Sequence, residues 1–424
     1  MKISELHAIF LRPPLVTTDS RVCPKDSIFF ALKGERFNGN LFAGKALETG
    51  CAYAVVDEEV EEADDERIIR VDNVLTTLQK LGTYHREKLK IPIIAITGTN
   101  GKTTTKELLG IALSREFKVA YTQGNYNNHI GVPLTLLTMN KSHEIGVVEM
   151  GANRPGDIRE LCEIAKPNYG LITNVGKAHL EGFGTIENVM RTKCELYDYI
   201  RTHEGKVFVN KDNPYLFEVS EGMDRILYGK NDPSLFASGS IANATPFLEF
   251  DWSFFDSSYR VKTRLVGEFN FVNAISAVAI SKFFGINSER ISHALEEYEP
   301  QNHRSQFKRT EKNDLIIDAY PTSMKASLGF FTTIPTSLPK MVILGEMKEL
   351  GAIAREEHQR MIDFLKDHPF DRVILVGGMF KELSLSDTNY RLYDDVEGLI
   401  ESLEKEPIEK YYILLKGSHS VELE

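Results

Sequence analysis

The sequence predicts an α/β protein of three domains: a small N-terminal α/β domain, a central parallel sheet covered by helices, and a C-terminal doubly wound sheet. Three observations carry this prediction. With 424 residues and 42 % hydrophobic content, the chain can bury two or three cores, so a single domain is not expected. Apolar runs without alternation recur, each ending in turn residues and leading into a helical segment, which is the pattern of parallel strands buried on both faces. The rhythm changes character near residue 86 and restarts after residue 304, dividing the chain into 1–86, 87–304 and 305–424.

The elements follow in order. In the first segment, "SIFFALKG" and "YAVVDEE" read as strands on either side of a helical "NLFAGKALETG". From Ile91 onward "IPIIAITG", "EIGVVEMGA", "NYGLITNVG" and "GKVFVN" read as parallel strands with helices between them. Residues 234–269 interrupt this with alternating stretches, "FLEFDWSFF" and "YRVKTRLVG", expected as antiparallel strands at a sheet edge or in a small second sheet. Two helical segments, "NFVNAISAVAISKFFG" and "SERISHALEEYE", come next. After "PQNHRSQ" the strands "DLIIDAY", "KMVILGEM", "DRVILVGG" and "YYILLKGS" build the third, Rossmann-like sheet.

Composition excludes several classes. Fifty basic against 61 acidic side chains give a net charge of −11 without a long basic block, which argues against a nucleic-acid partner. Cys23, Cys51, Cys162 and Cys194 have neither metal-ligand nor disulfide-framework spacing and suit a reducing compartment. "MKISELHAIFLRPPL" lacks the basic start and cleavage site of a signal peptide, and no apolar run is long enough to span a membrane. A cytoplasmic protein, acting as a monomer, is the expectation.

The most informative stretch is "AITGTNGKTTTKELLG", residues 95–110. A strand ends at Thr97, Gly98 and Gly101 permit a tight turn through Thr99 and Asn100, and a helix starts near Lys102 with Thr103 and Thr104 in its first turn. Backbone N–H groups and the positive end of the helix dipole make such a turn a phosphate cradle, so the central sheet is of P-loop type. Lys102 reaches the terminal phosphates and the Thr103 hydroxyl suits Mg²⁺. The spacing is shorter than the usual G-x-x-x-x-G-K-[ST], since position 96 is Ile, and a plain glycine-rich turn with a solvated lysine stays open.

Further strand ends supply candidate chemistry. "VVEMGA" puts Glu149 at the carboxyl end of a predicted central strand, where open α/β sheets hold ligands and where a metal-binding carboxylate is common. "TNVGKAHLEGFG" places His179 in a loop after a strand, as a metal ligand or an ordinary structural histidine. The turn alone also fits a small-molecule kinase or a nucleotide-switched regulator.

In this order, "TGTNGKTTT", "NVGKAHLEGFG", "GEFNFVNAISAVAI" and "NHRSQ" resemble the phosphate turn, histidine loop, nucleotide-base segment and hinge of the Mur ligases. These are ATP-dependent amide-forming enzymes of bacterial cell-wall precursor synthesis, and the resemblance covers essentially the whole chain. Within the family, "TQGNYNNHIGVPLTLL", "EMGANRPGDI" and "GEMKELG" resemble the member that adds D-alanyl-D-alanine to UDP-N-acetylmuramoyl-tripeptide. The member that adds the third amino acid, lysine or diaminopimelate, and a non-catalytic ATP-binding relative stay open as alternatives; a "DNPR"-like element is absent.

Carried over position by position, the resemblance implies ATP contacts from Gly98, Thr99, Asn100, Gly101, Lys102, Thr103 and Thr104, and Mg²⁺ on Thr103 and Glu149, with a second ion on His179. It also implies that Lys193, which its own sequence context would leave as a solvated helix residue, is the lysine this family carbamylates. Cys194 beside it stands where relatives have glycine. Asn270 and Asn273 resemble the pair lying against the adenine. His303 and Arg304 mark the hinge, with Arg304 a candidate contact to the nucleotide or to the transferred phosphate, and Asp318 is an ATP contact from the third domain. Ser20 and Arg21 in "TTDSR", Asn38 in "FFALKGERFNGN", and Asn127 are the implied contacts to the UDP-sugar substrate, although ordinary turn chemistry explains the first three equally well. One departure stands out: the family's "DAYNANP" is here "DAYPTSM", without "NAN". A true deletion would put ATP turnover in doubt; a stretch of chain not represented in the sequence is the preferred reading.

Overall fold

The computed structural model describes the chain except residues 13–14, 36, 62, 177–179, 302–303, 305, 319–323, 349, 384–389 and 424. Three sheets follow one another along the sequence. The first contains β1 (Val16–Thr17), β2 (Ile28–Phe30), β3 (Tyr53–Val56) and β4 (Ile68–Arg70), in that order and all parallel. The second contains β5 (Ile93–Thr97), β6 (Val119–Tyr121), β7 (Ile145–Glu149), β8 (Tyr169–Ile172), β9 (Lys206–Asn210), β10 (Arg225–Lys230), β11 (Ala237–Asn243), β12 (Phe247–Phe254) and β13 (Ser257–Val266). Their order is β13-β12-β11-β10-β9-β8-β5-β7-β6. The third contains β14 (Gln306–Arg309), β15 (Asp314–Asp318), β16 (Lys340–Gly345), β17 (Arg372–Val376), β18 (Tyr390–Tyr393) and β19 (Tyr412–Lys416), ordered β14-β15-β19-β16-β17-β18.

The helices are α1 (Ile3–Phe10), α2 (Ala43–Thr49), α3 (Val74–Leu89), α4 (Lys102–Leu113), α5 (Gly131–Thr138), α6 (Asp157–Ala165), α7 (Leu180–Phe183) and α8 (Ile186–Thr202). After these come α9 (Pro214–Val219), α10 (Asn270–Phe283), α11 (Ser288–Glu297), α12 (Met324–Thr333), α13 (Ala354–Asp367) and α14 (Val396–Lys405). Each sheet has a separate apolar cluster on each face, the three-layer arrangement that unbroken apolar strands require. In the central sheet Ile94, Ile96 and Val147 point to α4 and α10, whereas Ile93, Ala95 and Val148 point to α5, α6 and α8.

The alternating segment is an antiparallel extension of the central sheet at its edge rather than a separate sheet. Phe250 and Trp252 on β12 turn inward while Asp251 turns out to pair with Arg260 on β13. Trp252 is fixed by a bond from Nε1 to Ser292 Oγ of 3.1 Å. Seven strands, β1, β4, β6, β10, β11, β14 and β18, are additions to the strands read from the sequence. β7, read as central, is next to the edge strand β6. The missing "NAN" bears on residues 319–323, which lie outside the described residues.

Helix α3 runs through position 86 and ties the first sheet to the second. Arg86 donates to the terminal carbonyls of α6, at Ala165 and Lys166 (both 3.2 Å), and to Asn168 Oδ1 (2.8 Å). His85 Nε2 donates to Met139 O at 2.8 Å, which leaves Nδ1 to accept from His7 Nε2 of α1 at 3.0 Å. Both rings are buried, and burial is the first cause holding their pKa values below the ordinary 6.5; the neighbouring His85 and Lys88 add to the lowering at His7.

A depressed folded-state pKa means that the unfolded chain takes up more protons below pH 6.5. The stability from these neutral rings is complete above 6.5 and lost as pH falls toward the folded-state values. Circular-dichroism melts should therefore show Tm falling between pH 6.5 and 5.5, and His85→Gln, with one titrating ring fewer, should fall less steeply over that window.

Candidate active site

The turn between β5 and α4 is glycine-dependent at two positions. Gly98 has φ +142°, and a Cβ there would sit 2.1 Å from Thr173 Oγ1. Gly101 has φ +78°, and its Cβ would sit 2.2 Å from Asn273 Oδ1. Side chains at the end of β8 pin the backbone between them: Asn100 N–H donates to Asn174 Oδ1 (3.0 Å), while Asn100 O accepts from Thr173 Oγ1 (2.6 Å) and Asn174 Nδ2 (3.1 Å). Thr99 Oγ1 accepts from Gly176 N at 3.0 Å. α4 begins at Gly101 without a capping side chain, unlike α3, α8, α11 and α14, which Asn73, Thr185, Asn287 and Asp395 cap. Its first N–H groups are thus left for an anion.

Lys102 folds back over the turn, donating from Nζ to Gly98 O (2.8 Å) and Thr99 O (3.1 Å). Enclosure lowers its pKa to about 8, with Glu149 opposing the shift and Arg304 adding to it. Thr103 Oγ1 donates to Glu149 Oε1 at 3.1 Å, and Asn127 Nδ2 donates to the same oxygen at 2.9 Å. Asn127 therefore sits on the Glu149 cluster, a placement its reading as a UDP-sugar contact did not anticipate. Glu149 Oε2 is buried without a hydrogen-bond partner. An orphaned carboxylate oxygen beside a threonine hydroxyl suits a hard divalent cation, so these two side chains fit Mg²⁺. No cluster of three His, Cys, Asp or Glu arranged for a metal occurs among the described residues.

Lys193, on α8, is 2 % exposed and lies over the Phe183 ring at 5.6 Å. Burial first, and then the charge of Lys102, bring its pKa down to about 7, against the pull of Asp157 and Glu195. It is the reverse of a solvated helix lysine, and its burial favours the free amine. Lys106, one turn beyond Lys102, is equally buried, lies near Glu107 (3.7 Å) and has a pKa lowered chiefly by burial.

Asn273 reaches the turn and Asn270 lies behind it, with their amides engaged internally: Asn270 Nδ2 donates to Val266 O (2.9 Å), Asn273 Nδ2 to Asn270 Oδ1 (3.0 Å), and Asn273 Oδ1 accepts from Thr105 Oγ1 (3.2 Å). They lock α10 onto α4. Thr104 is buried in the first turn of α4, and Arg304 is close enough for its charge to depress both Lys102 and Lys106. His179 and His303 lie outside the described residues.

The remaining candidates stand apart. Asp318 belongs to the third sheet, where Oδ2 accepts from Lys416 Nζ (2.6 Å) and Ser327 Oγ (3.0 Å). In the first domain Ser20 is buried, Arg21 pairs with Asp19 (2.8 Å), and Asn38 caps a short 3₁₀ turn through Asn40 N while donating to Glu58 Oε2 (2.7 Å). Turn chemistry accounts for the bonds that Arg21 and Asn38 make in the structure. Sequence reasoning missed Thr173, Asn174 and Lys106. The first two stood in plain view in "TNVG", at the end of a strand adjacent to the phosphate turn.

The Mur ligase middle domain matches residues 96–281. Over 422 residues the chain is 30 % identical to the UDP-N-acetylmuramoyl-tripeptide–D-alanyl-D-alanine ligase of Bacillus subtilis (strain 168), spanning 96 % of this chain and 91 % of that protein. The chain belongs to the Mur ligase family. Among solved Mur ligases, a MurF from Acinetobacter baumannii superposes with a TM-score of 0.83 at 30 % identity, covering 96 % of this chain and 90 % of its own. The MurF ligase from Thermotoga maritima in complex with ADP gives 0.82 at 27 % identity, covering 96 % and 95 %.

The geometry of this Mur ligase turn makes a direct test available. Gly101→Ala adds a Cβ both against Asn273 and at a left-handed φ, and should weaken ATP binding measured by calorimetry about 100-fold or more.

Proposed function

We propose that the protein is an ATP-dependent ligase joining D-alanyl-D-alanine to UDP-N-acetylmuramoyl-tripeptide, through an acyl phosphate, in peptidoglycan precursor synthesis. The observation that carries the reading is the single cluster made by the pinned turn 98–101, Lys102, Thr103, Glu149 and Lys193, set in a chain similar over its whole length to ligases of that name. We assign residues 1–86 to the UDP-sugar, with Ser20, Arg21 and Asn38 as contacts, 87–304 to ATP, and 305–424 to the incoming dipeptide. Asn127, Asn270, Asn273, Arg304 and Asp318 complete the assigned substrate and ATP contacts. The chemistry belongs in the cytoplasm, where ATP is available, and among the described residues no helix is long and apolar enough to cross a membrane.

A carboxylate will not condense with an amine unaided, because oxide is too poor a leaving group. In the proposed reaction the tripeptide carboxylate attacks the γ-phosphorus of ATP and ADP leaves. The dipeptide amine, having lost a proton, then attacks the acyl carbon, and the tetrahedral intermediate expels phosphate. The α4 N–H groups and the Lys102 ammonium hold the phosphates, and Lys102 exchanges the carbonyls of Gly98 and Thr99 for phosphate oxygen as the nucleotide arrives. Mg²⁺, held by Thr103 and Glu149, would supply charge neutralisation on the phosphates. Lys193, with a pKa near 7, is a suitable amine for carbamylation: the ammonium gives up one proton, the neutral amine adds to CO₂ and releases a second, and a buried cation becomes an anion.

Two measurements test this. Phosphate release from ATP should require both UDP-N-acetylmuramoyl-tripeptide and D-alanyl-D-alanine, with the pentapeptide product seen by mass spectrometry, and Lys102→Ala should lower its rate about 10³-fold. A kinase would instead yield a stable phosphorylated product, and a regulator would show no acceptor-dependent release. Enzyme stripped of CO₂ should regain activity on adding bicarbonate, with a ¹³C carbamate signal that forms more readily as pH rises through about 7 and is absent from Lys193→Met.

A further inference from the structure

His358 lies on α13, completely buried in the third domain. Its Nδ1 donates to Ala354 O at 2.7 Å, one turn back on its own helix. That bond fixes the tautomer, so Nε2 carries a lone pair, and it accepts from Met347 N at 2.9 Å. Burial holds its pKa below the ordinary value, which keeps the ring in this neutral, accepting form, and Phe380 packs edge-on against it with ring centroids 5.2 Å apart.

Met347 lies in the loop that follows β16, at the carboxyl end of the third sheet, where α/β sheets present ligands. This loop is held from three directions. Glu346 N donates to Val376 O (2.9 Å), Lys348 N to Ser418 Oγ (2.8 Å), and Met347 N, between them, to His358. The loop carries an ion pair, Glu346 with Lys348, whose lysine is half exposed. Without an acceptor at His358, the Met347 N–H would be buried and unsatisfied, and the two charged side chains flanking it would lose their fixed bearing.

We propose that His358 is a positioning residue for the acceptor substrate: through the Met347 amide it sets the Glu346–Lys348 loop against the ammonium and carboxylate of the incoming zwitterionic dipeptide. The inference rests on the assignment of residues 305–424 to that dipeptide. Steady-state kinetics of the full chain, varying D-alanyl-D-alanine and ATP separately, test it with three variants. His358→Ala should raise KM for the dipeptide about tenfold while KM for ATP stays within about twofold. His358→Gln, whose side-chain carbonyl can accept from Met347 N, should recover most of that loss. Phe380→Leu, which loosens the same packing but keeps both histidine bonds, should lower Tm and leave the dipeptide KM unchanged. The proposal is overturned if the dipeptide and ATP constants rise together, if Gln is no better than Ala, or if Phe380→Leu reproduces the Ala phenotype. Wild-type protein without dipeptide-dependent product would instead overturn the functional reading itself, so the two failures are distinguishable.

Discussion

The close approach of the β5–α4 turn to the end of β8 on one side and to α10 on the other is the constraint on which the rest of the site depends. With a hydrogen where a Cβ would meet Thr173 or Asn273 within about 2 Å, Gly98 and Gly101 let three elements converge on one short loop. The convergence has an electrostatic result. Asn100 is bound through its N–H and its carbonyl by Thr173 and Asn174, so the turn is rigid without drawing on the N–H groups that open α4. A capping side chain would have satisfied those groups, at the expense of their availability to phosphate. Preorganisation of this kind leaves little reorganisation for the binding step.

The charge around this turn differs from that of the chain as a whole. The chain as a whole carries a net charge of −11, yet Lys102, Lys106, Lys193 and Arg304 gather where Glu149 and Glu107 are the nearest acids to the first two. Burial is the first cause of the depressed pKa in each of the three lysines, and a neighbouring cation adds to it, Lys102 at Lys193 and Arg304 at Lys102 and Lys106. Such an arrangement costs stability in the empty protein and is relieved by a polyanion. Converting Lys193 to a carbamate would relieve it in another way, by changing the sign of one member.

How much of this was legible in the sequence depended on whether the signal was local. The βα rhythm, the two glycines, Lys102 and Glu149 at a strand end are each set within a few residues, and the structure has them where the pattern put them. Alternation in "FLEFDWSFF" gave the antiparallel strands, because one of their faces meets the core and the other faces outward. Two- and three-residue strands such as β1 and β6 exist only through their neighbours, so no periodicity announces them. Lys193 sits on a helix of mixed polarity, and its burial is decided by the elements that cover it. Its importance came from resemblance alone. Asn127 illustrates the same limit, since its partner Glu149 is 22 residues away and no spacing rule links an asparagine in a loop to a carboxylate on a neighbouring strand.

The third sheet solves a different electrostatic problem with the same geometry. Asp318 and Lys416 are cross-strand partners at the carboxyl ends of β15 and β19, both buried, and Ser327 of α12 donates to the same carboxylate oxygen. A buried ion pair seldom stabilises a fold relative to apolar side chains of the same volume, so its contribution is better sought in orientation. Its neighbour across the strand ends, Glu346 with Lys348, is again a matched pair. Charges balanced two by two in this way satisfy one another within the fold, where an unpaired buried charge would need a partner from outside. The central turn and the edge of the third sheet thus handle buried charge in opposite ways: the first gathers cations whose mutual cost only an anion can offset, and the second pairs each of these charges with a partner, so that the cost is met within the protein itself.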